Sequence, residues 1–441
     1  MPTRREFIQI GAFISGSAGG WDALLGPIRR ALAIEPEPGS SVFDAEHVVI
    51  LMQENRSFDH CFGTLQGVRG FDDPRAITLP NQNPVWVQTN AAGESYAPFR
   101  LNIHDTNSTW LGCLPHSWQS QVDARNNGRY DRWLESKRSD QKTAGGIPLT
   151  LGYYNRDDIP FYYELADAFT ICDQHFCSCL SSTTPNRLHL WTGTIRERPT
   201  ADSLANVCNE NVDYDCWANW TTFPERLENK DISWKVYQNE LGLPSGLSEE
   251  EYAWLANFGA NPLEYFAQFQ VKRATVYRDY LDNLVAQLPA AINELKKRAV
   301  AGGLSAEESV ELAKQLATAV SSLKYAEEER RRWPAGGLDK LSARAKSLHN
   351  KAFTTNAADP AYRELAELNP PVENARGEIA VPKGDVFYQF RRDVERGKLP
   401  TVSWLVAPTR FSDHPDSPWY GGWYISEALN ILTRMALPVV A

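Results

Sequence analysis

Two short segments carry residue types suited to attack on phosphorus or a carbonyl carbon. One is Thr183-Thr184-Pro185-Asn186-Arg187. The other, Gln53-Glu54-Asn55-Arg56, closes an apolar run upstream. A threonine hydroxyl is a poor nucleophile at neutral pH and needs a metal ion or a strong base beside it. Glu54 and Asn55 offer a carboxylate and a carboxamide oxygen, donors that suit a hard or borderline divalent cation. Thr183 is the candidate nucleophile and a third candidate ligand, with Thr184 as the alternative. Pro185 suits a first helical turn. Thr183 then sits at a helix N-terminus, where backbone N–H groups favour an anion. Asn186 and Arg187 are candidate substrate-binding residues. Arg187 can grip a phosphate through two parallel bonds, or it can simply bond the edge of a sheet. The plain alternatives are an N-cap threonine and a polar strand end.

The elements that must position these residues alternate. Val48 to Met52 is a continuous apolar run, which predicts a strand buried on both faces. Phe169–Cys172, Ile232–Tyr237 and Thr401–Val406 read similarly. Helical patterns lie between them, including Asn186–Trp191 and Gly421–Leu432. Strands separated by helices predict an α/β fold with a mostly parallel central sheet flanked by helices. In such sheets, sites collect at the carboxyl ends of strands. Glu54 and Asn55 follow one strand, and His414 lies a short loop beyond another. Residues 281–349 differ. Leu284, Leu288, Ile292 and Leu295 have helical spacing, as do Leu312, Leu316, Val320 and Leu323. Ala301-Gly302-Gly303 separates the runs, and Ser305 with Glu308 makes a capping box. This predicts an inserted antiparallel helical hairpin, solvated because its charges carry both signs.

At 441 residues the chain has room for one large domain or several average ones. Its net charge of −10 argues against nucleic acid and against electrostatic docking on anionic lipid. No stretch after the N-terminus is long and apolar enough to span a bilayer. Thr3-Arg4-Arg5-Glu6-Phe7-Ile8 is a twin-arginine pattern, followed by a weakly apolar run to Ala18. Ala31-Leu32-Ala33 supplies small residues for a cut. The reading is a signal peptide over residues 1–33 and export by the twin-arginine machinery to the periplasm or beyond, the mature chain carrying no transmembrane segment. Seven cysteines leave an odd thiol if the rest pair. Cys208 and Cys216 flank a short polar loop and can close a disulfide in an oxidising compartment. Cys177-Ser178-Cys179 has the wrong spacing for a zinc knuckle. The 14 tryptophans read as core fillers ahead of a choline-binding aromatic cage.

The run Glu46–His60, the stretch Gly152–Arg187 beginning Tyr153-Tyr154-Asn155-Arg156-Asp157-Asp158-Ile159-Pro160, and the block Pro408–Tyr424 together resemble the bacterial phosphoesterase family of non-haemolytic phospholipases C and related acid phosphatases. That family belongs to the alkaline-phosphatase-like superfamily. The order Thr-x-Pro-x-Arg is similar to the Cys-x-Pro-x-Arg element of sulfatases, where the first residue attacks. The resemblance implies a nucleophilic Thr183, and a divalent metal of unspecified identity held by Glu54, Asn55 and Thr183. It implies that His116, in Leu114-Pro115-His116-Ser117-Trp118, and His414 contact phosphate or protonate the leaving group. Each is otherwise an ordinary structural histidine. His60 and His175 are weaker candidates. The implied substrate is a phospholipid or other phosphoester, split as a phospholipase C splits phosphatidylcholine-type headgroups. The alternatives are an acid-phosphatase-type monoesterase and an inactive remnant. In the family, a further buried strand with an Asp-rich metal-ligand motif follows the segment equivalent to Tyr424–Glu427. Here the chain closes with Arg434–Ala441, so the catalytic domain, residues 34–441, is expected to be incomplete at its C-terminus.

Overall fold

The computed structural model describes residues 19–35, 37–103, 113–139, 148–368, 379–412 and 418–434. The elements that matter for the site, in chain order, are α1 (Gly19–Leu32), β1 (Val48–Leu51), α2 (Trp118–Arg125), α3 (Pro160–Ala168), α4 (Thr183–Thr192), β2 (Trp234–Gln238), α5 (Thr275–Ala301), α6 (Ala306–Arg332), β3 (Val402–Val406) and α7 (Pro418–Arg434).

The three strands form one parallel sheet in the order β1-β3-β2. Val48 and Trp234 both register on Val402, and Leu51 and Tyr237 both on Leu405. Side chains alternate across a strand, so each face gathers its own core. Val49, Leu51, Leu405 and Tyr237 pack with Leu24, Ile28, Phe161, Tyr420 and Tyr424, from α1, α3 and α7. Ile50, Val402, Trp404 and Val236 pack on the other face with Leu188 and Trp191 of α4. Trp191 stacks on Trp404 with centroids 4.7 Å apart. The fold is thus mixed α/β with helices on both faces of a parallel sheet, consistent with an alkaline-phosphatase-like phosphoesterase.

Burial separates the strands. β3, paired on both sides, is buried throughout. Among the described residues β1 pairs with β3 alone, and Val48 is 45% exposed. The expectation that β1 is buried on both faces is therefore corrected. So is the expected strand at Phe169–Cys172. Phe169 instead caps α3, its N–H bonding Leu165 O at 3.1 Å. Phe169 and Ile171 spend their apolar surface on the core without entering a ladder.

Two 27-residue helices, α5 and α6, pack side by side, α5 beginning at Thr275, six residues before the expected start of the hairpin. Ser305 and Glu308 form the capping box at the start of α6. Buried Lys272 pairs with Glu329 at 2.8 Å, and Tyr277 donates to the same carboxylate at 2.8 Å. Residues 343–352 form a further helix whose Leu348 and Ala352 rejoin the core. Among the described residues no helix is long and apolar enough to cross a membrane. All seven cysteines are free thiols. Cys208 and Cys216 are not bridged here; the turn between them holds Cys208 N–H on Asn211 Oδ1 and Cys216 N–H on Asp213 Oδ1.

Candidate active site

β1 ends at Leu51, and the chain that leaves it crosses the carboxyl edge of the sheet. Gln53 anchors it, donating from Nε2 to Phe411 O and Gly421 O at 3.0 Å each. Glu54 N–H bonds Ser412 O at 3.2 Å, so Glu54 stands beside the loop that follows β3. Asn55 then turns with φ +84°, in the left-handed region that asparagine tolerates better than most residues.

α4 meets this edge with its N-terminus. The helix begins at Thr183 with Pro185 in its first turn. Asn209, from a separate loop, accepts from Thr184 N–H and from Ser182 Oγ at 2.9 Å each. It does the capping work that Ser182 does not. Asn186 fixes the approach to the helix. Its Oδ1 accepts from Cys179 N–H at 3.1 Å, and its Nδ2 donates to Ser182 O at 3.0 Å.

The two segments converge on Glu54. Thr183 Oγ1 donates to Glu54 Oε1 at 3.4 Å, while Arg187 Nε meets Glu54 Oε2 at 3.3 Å. Arg187 is only 3% exposed and spends its other nitrogens on Ala260 O (2.9 Å) and Met52 O (3.4 Å). Of its two possible roles, the one with hydrogen bonds here is the bond to the sheet edge. A hydroxyl, a carboxylate and a guanidinium thus stand in a row, the first at a helix N-terminus where a phosphate is favoured.

His116 lies on a different element, just ahead of α2. Its Nδ1 is 2.8 Å from Leu114 O. Buried Lys137 pins that loop, donating to Pro115 O at 2.7 Å and to Ser120 Oγ at 3.0 Å. Burial lowers the Lys137 amine to about 8. His414 lies outside the described residues. His175 is exposed. His60 sits one short turn beyond Asn55, its Nδ1 2.8 Å from Gly152 O. Burial, helped by the nearby Arg56 charge, lowers its imidazole to about 3, so it stays neutral.

Sequence reasoning missed Asn209, the loop carrying Ala260, and Arg56. Asn209 and Ala260 reach the site only through tertiary contacts, and no local signal marks them. Arg56 did carry a signal, a charge directly after two candidate ligands. Among the described residues no group of three or more His, Cys, Asp or Glu could hold a metal ion. The donor set at the site is one carboxylate, one amide and one hydroxyl. These are hard oxygen donors of low total charge, which fit a divalent cation by chemistry. The buried Nδ2 of Asn55 has no hydrogen-bond partner. The two ends of an amide are told apart by their partners, so nothing holds this one against turning its oxygen to a cation.

A family model described as the phosphoesterase family matches residues 45–306 and 342–437. The chain belongs to the phosphoesterase family. The unmatched interval, 307–341, takes in nearly all of α6. Among curated relatives of this phosphoesterase, the chain is 33% identical over 441 residues to a non-hemolytic phospholipase C of Burkholderia pseudomallei, covering 98% of this chain and 47% of the relative. It is 32% identical to the non-hemolytic phospholipase C of Pseudomonas aeruginosa, over 98% of this chain and 45% of the relative. It is 38% identical over 254 residues to phospholipase C B of Mycobacterium tuberculosis, over 54% of this chain and 46% of the relative. The chain spans about half the length of the curated relatives it matches.

Proposed function

We propose that this phosphoesterase is a phospholipase C-type phosphodiesterase, cleaving phospholipid headgroups of the phosphatidylcholine class with Thr183 as nucleophile. The observation that carries the reading is Thr183 Oγ1 at the N-terminus of α4, hydrogen-bonded to Glu54. The phospholipase C names of relatives spanning this chain support the substrate class.

Thr183 Oγ attacks phosphorus as its proton passes to Glu54, and the bond from phosphorus to the glycerol oxygen breaks. The electron pair leaves with that oxygen, which takes a proton from His116 or His414 and departs as diacylglycerol. Water, losing a proton to that same histidine, then attacks phosphorus; the bond to Thr183 Oγ breaks, Glu54 returns the proton to the hydroxyl, and the phosphorylated headgroup leaves. The positive end of the α4 dipole favours the charge that develops on the nonbridging oxygens. Glu54 accepts the hydroxyl's hydrogen bond and orients its lone pair. Asn186 and Arg187, whose hydrogen bonds are spent within the protein, act here by positioning the helix. Glu54, Asn55 and Thr183 would hold a divalent metal, which when bound lowers the pKa of the hydroxyl and steadies the phosphoryl oxygens.

The test is turnover of a chromogenic phosphodiester and the matching monoester by the purified chain, with divalent metal added. Faster diester turnover supports the reading; exclusive monoester turnover makes the protein a phosphatase of the same family. Export by the twin-arginine route, led by Arg4-Arg5, belongs to the same proposal, without a cut after Ala33, which would remove the core residues Leu24 and Ile28 of α1. Replacing both arginines by lysine should leave the product in the cytoplasm, and unchanged export would overturn that part.

A further inference from the structure

Buried polar atoms almost always have partners, and each exception asks for a reason. Several exceptions here lie within a few residues of Glu54. Arg56 Nε and Arg56 Nη2 are shielded from water and have no hydrogen-bond partner. Among the described residues Arg56 makes one hydrogen bond, from Nη1 to Asn55 O at 2.9 Å. The pattern is specific. Nε and Nη2 are the two nitrogens on one side of the guanidinium whose N–H bonds run parallel, the fork that meets two oxygens of an oxyanion at once. The third nitrogen is tied to backbone, which fixes the plane of the fork.

Two guanidinium nitrogens shielded from water without an acceptor are costly to keep. Among the described residues no carboxylate lies within ion-pair distance of Arg56, neither Glu54 two positions before it nor Asp59 three positions after. Arg187 already satisfies Glu54. His60 does not compete for an anion either. Its Nδ1 lies 2.8 Å from a carbonyl and must carry the proton, so neutral His60 presents only a lone pair at Nε2, also unpartnered. The Asn55 amide nitrogen adds a further unpartnered group in the adjoining residue.

We propose that Arg56 is the oxyanion-binding residue of this site, its Nε–Nη2 fork receiving two nonbridging oxygens of the substrate's phosphoryl group. This rests on the phosphodiesterase reading and deepens it. Arg187, the arginine of the Thr-x-Pro-x-Arg element, is committed to scaffold, and Arg56 supplies the cation that it cannot. A carboxylate matches the same fork in shape, so the experiment must separate the two.

Inorganic phosphate is titrated calorimetrically into the full chain and into Arg56→Lys and Arg56→Gln, with acetate as the carboxylate comparison. Both variants should bind phosphate at least about tenfold more weakly, because lysine keeps the charge but loses the fork. Both should melt close to the parent, because the fork has no partner in the protein to lose. Wild-type affinity for phosphate in Arg56→Lys, a parent that binds no phosphate, or acetate bound as tightly as phosphate would each overturn the proposal. A large drop in melting temperature for Arg56→Lys would overturn it too, by showing that the fork has a partner within the fold. Turnover is measured separately. If phosphate binding depends on Arg56 but no phosphodiester is hydrolysed, this inference stands and the phosphodiesterase reading falls. If diesters are hydrolysed and binding ignores Arg56, the reverse holds.

Discussion

Thr183 Oγ1 and Glu54 Oε1 lie 3.4 Å apart, although 129 positions separate them along the chain. One comes from the first residue of a helix and the other from the third residue after a strand. The contact exists because α4 packs on one face of the sheet through Trp191 and Trp404, which sets the helix N-terminus at the strand's carboxyl edge. Three consequences of this geometry can be measured, and a fourth concerns a buried carboxyl elsewhere in the fold.

Removing the Thr183 hydroxyl should abolish phosphodiester hydrolysis. Thr183→Val is nearly isosteric and should lower kcat roughly 1000-fold or more with unchanged circular dichroism. Thr183→Ser should recover part of the rate. If Thr184→Val is dead and Thr183→Val active, the nucleophile is the next residue.

Arg187 should matter to the fold as much as to rate. It is buried, paired with Glu54, and bonded to two carbonyls on different segments. Arg187→Met leaves the Glu54 carboxylate and those carbonyls short of a donor, which costs about 3 kcal/mol. Denaturant unfolding should show it. A shift below about 1 kcal/mol would mean these bonds are weak in solution.

Trp404 supports the site without touching substrate. Trp404→Ala should destabilise by about 3–5 kcal/mol, because Trp191, Trp234 and Phe223 all rest on that ring. Near-ultraviolet circular dichroism and chemical denaturation report it. Stability equal to the parent would contradict the packing described for α4.

Stability should fall as pH rises toward neutrality, through Glu264. Burial raises its carboxyl from 4.5 to about 7, against hydrogen bonds from Gly242 N–H and Tyr214 that favour the charged form. The folded state therefore holds this proton more tightly than the unfolded chain does. The contribution is complete below pH 4.5 and is lost as pH climbs through about 7, amounting to roughly 3 kcal/mol at most. Glu264→Gln should flatten the dependence of melting temperature on pH across that window. An identical slope in the variant would show that the carboxyl titrates normally.

The parallel sheet was legible because β2 and β3 are apolar runs with helical patterns between them. β1 was legible as a strand, but not its half-exposed edge position, since exposure depends on which neighbours pair. Phe169–Cys172 has strand-like residues, but α3 ends directly against it and the segment finds burial without a ladder. Glu54, Asn55 and Thr183 could be picked out because their residue types and flanking signals are local. Their contact was not legible, because it depends on how α4 lies across the sheet. Asn186 and Arg187 show the limit: residue type left Arg187 open between a phosphate and the sheet edge, and only the fold shows the donors of both meeting Ser182, Met52 and Ala260.

The central claim is that Thr183 becomes covalently phosphorylated. The direct measurement is mass spectrometry of the protein quenched in acid during turnover of a phosphodiester, followed by peptide mapping. The account predicts a headgroup-phosphate adduct on the peptide containing Thr183, formed within one turnover and absent from Thr183→Val. Steady turnover with no adduct at Thr183, or an adduct that survives in Thr183→Val, would contradict it.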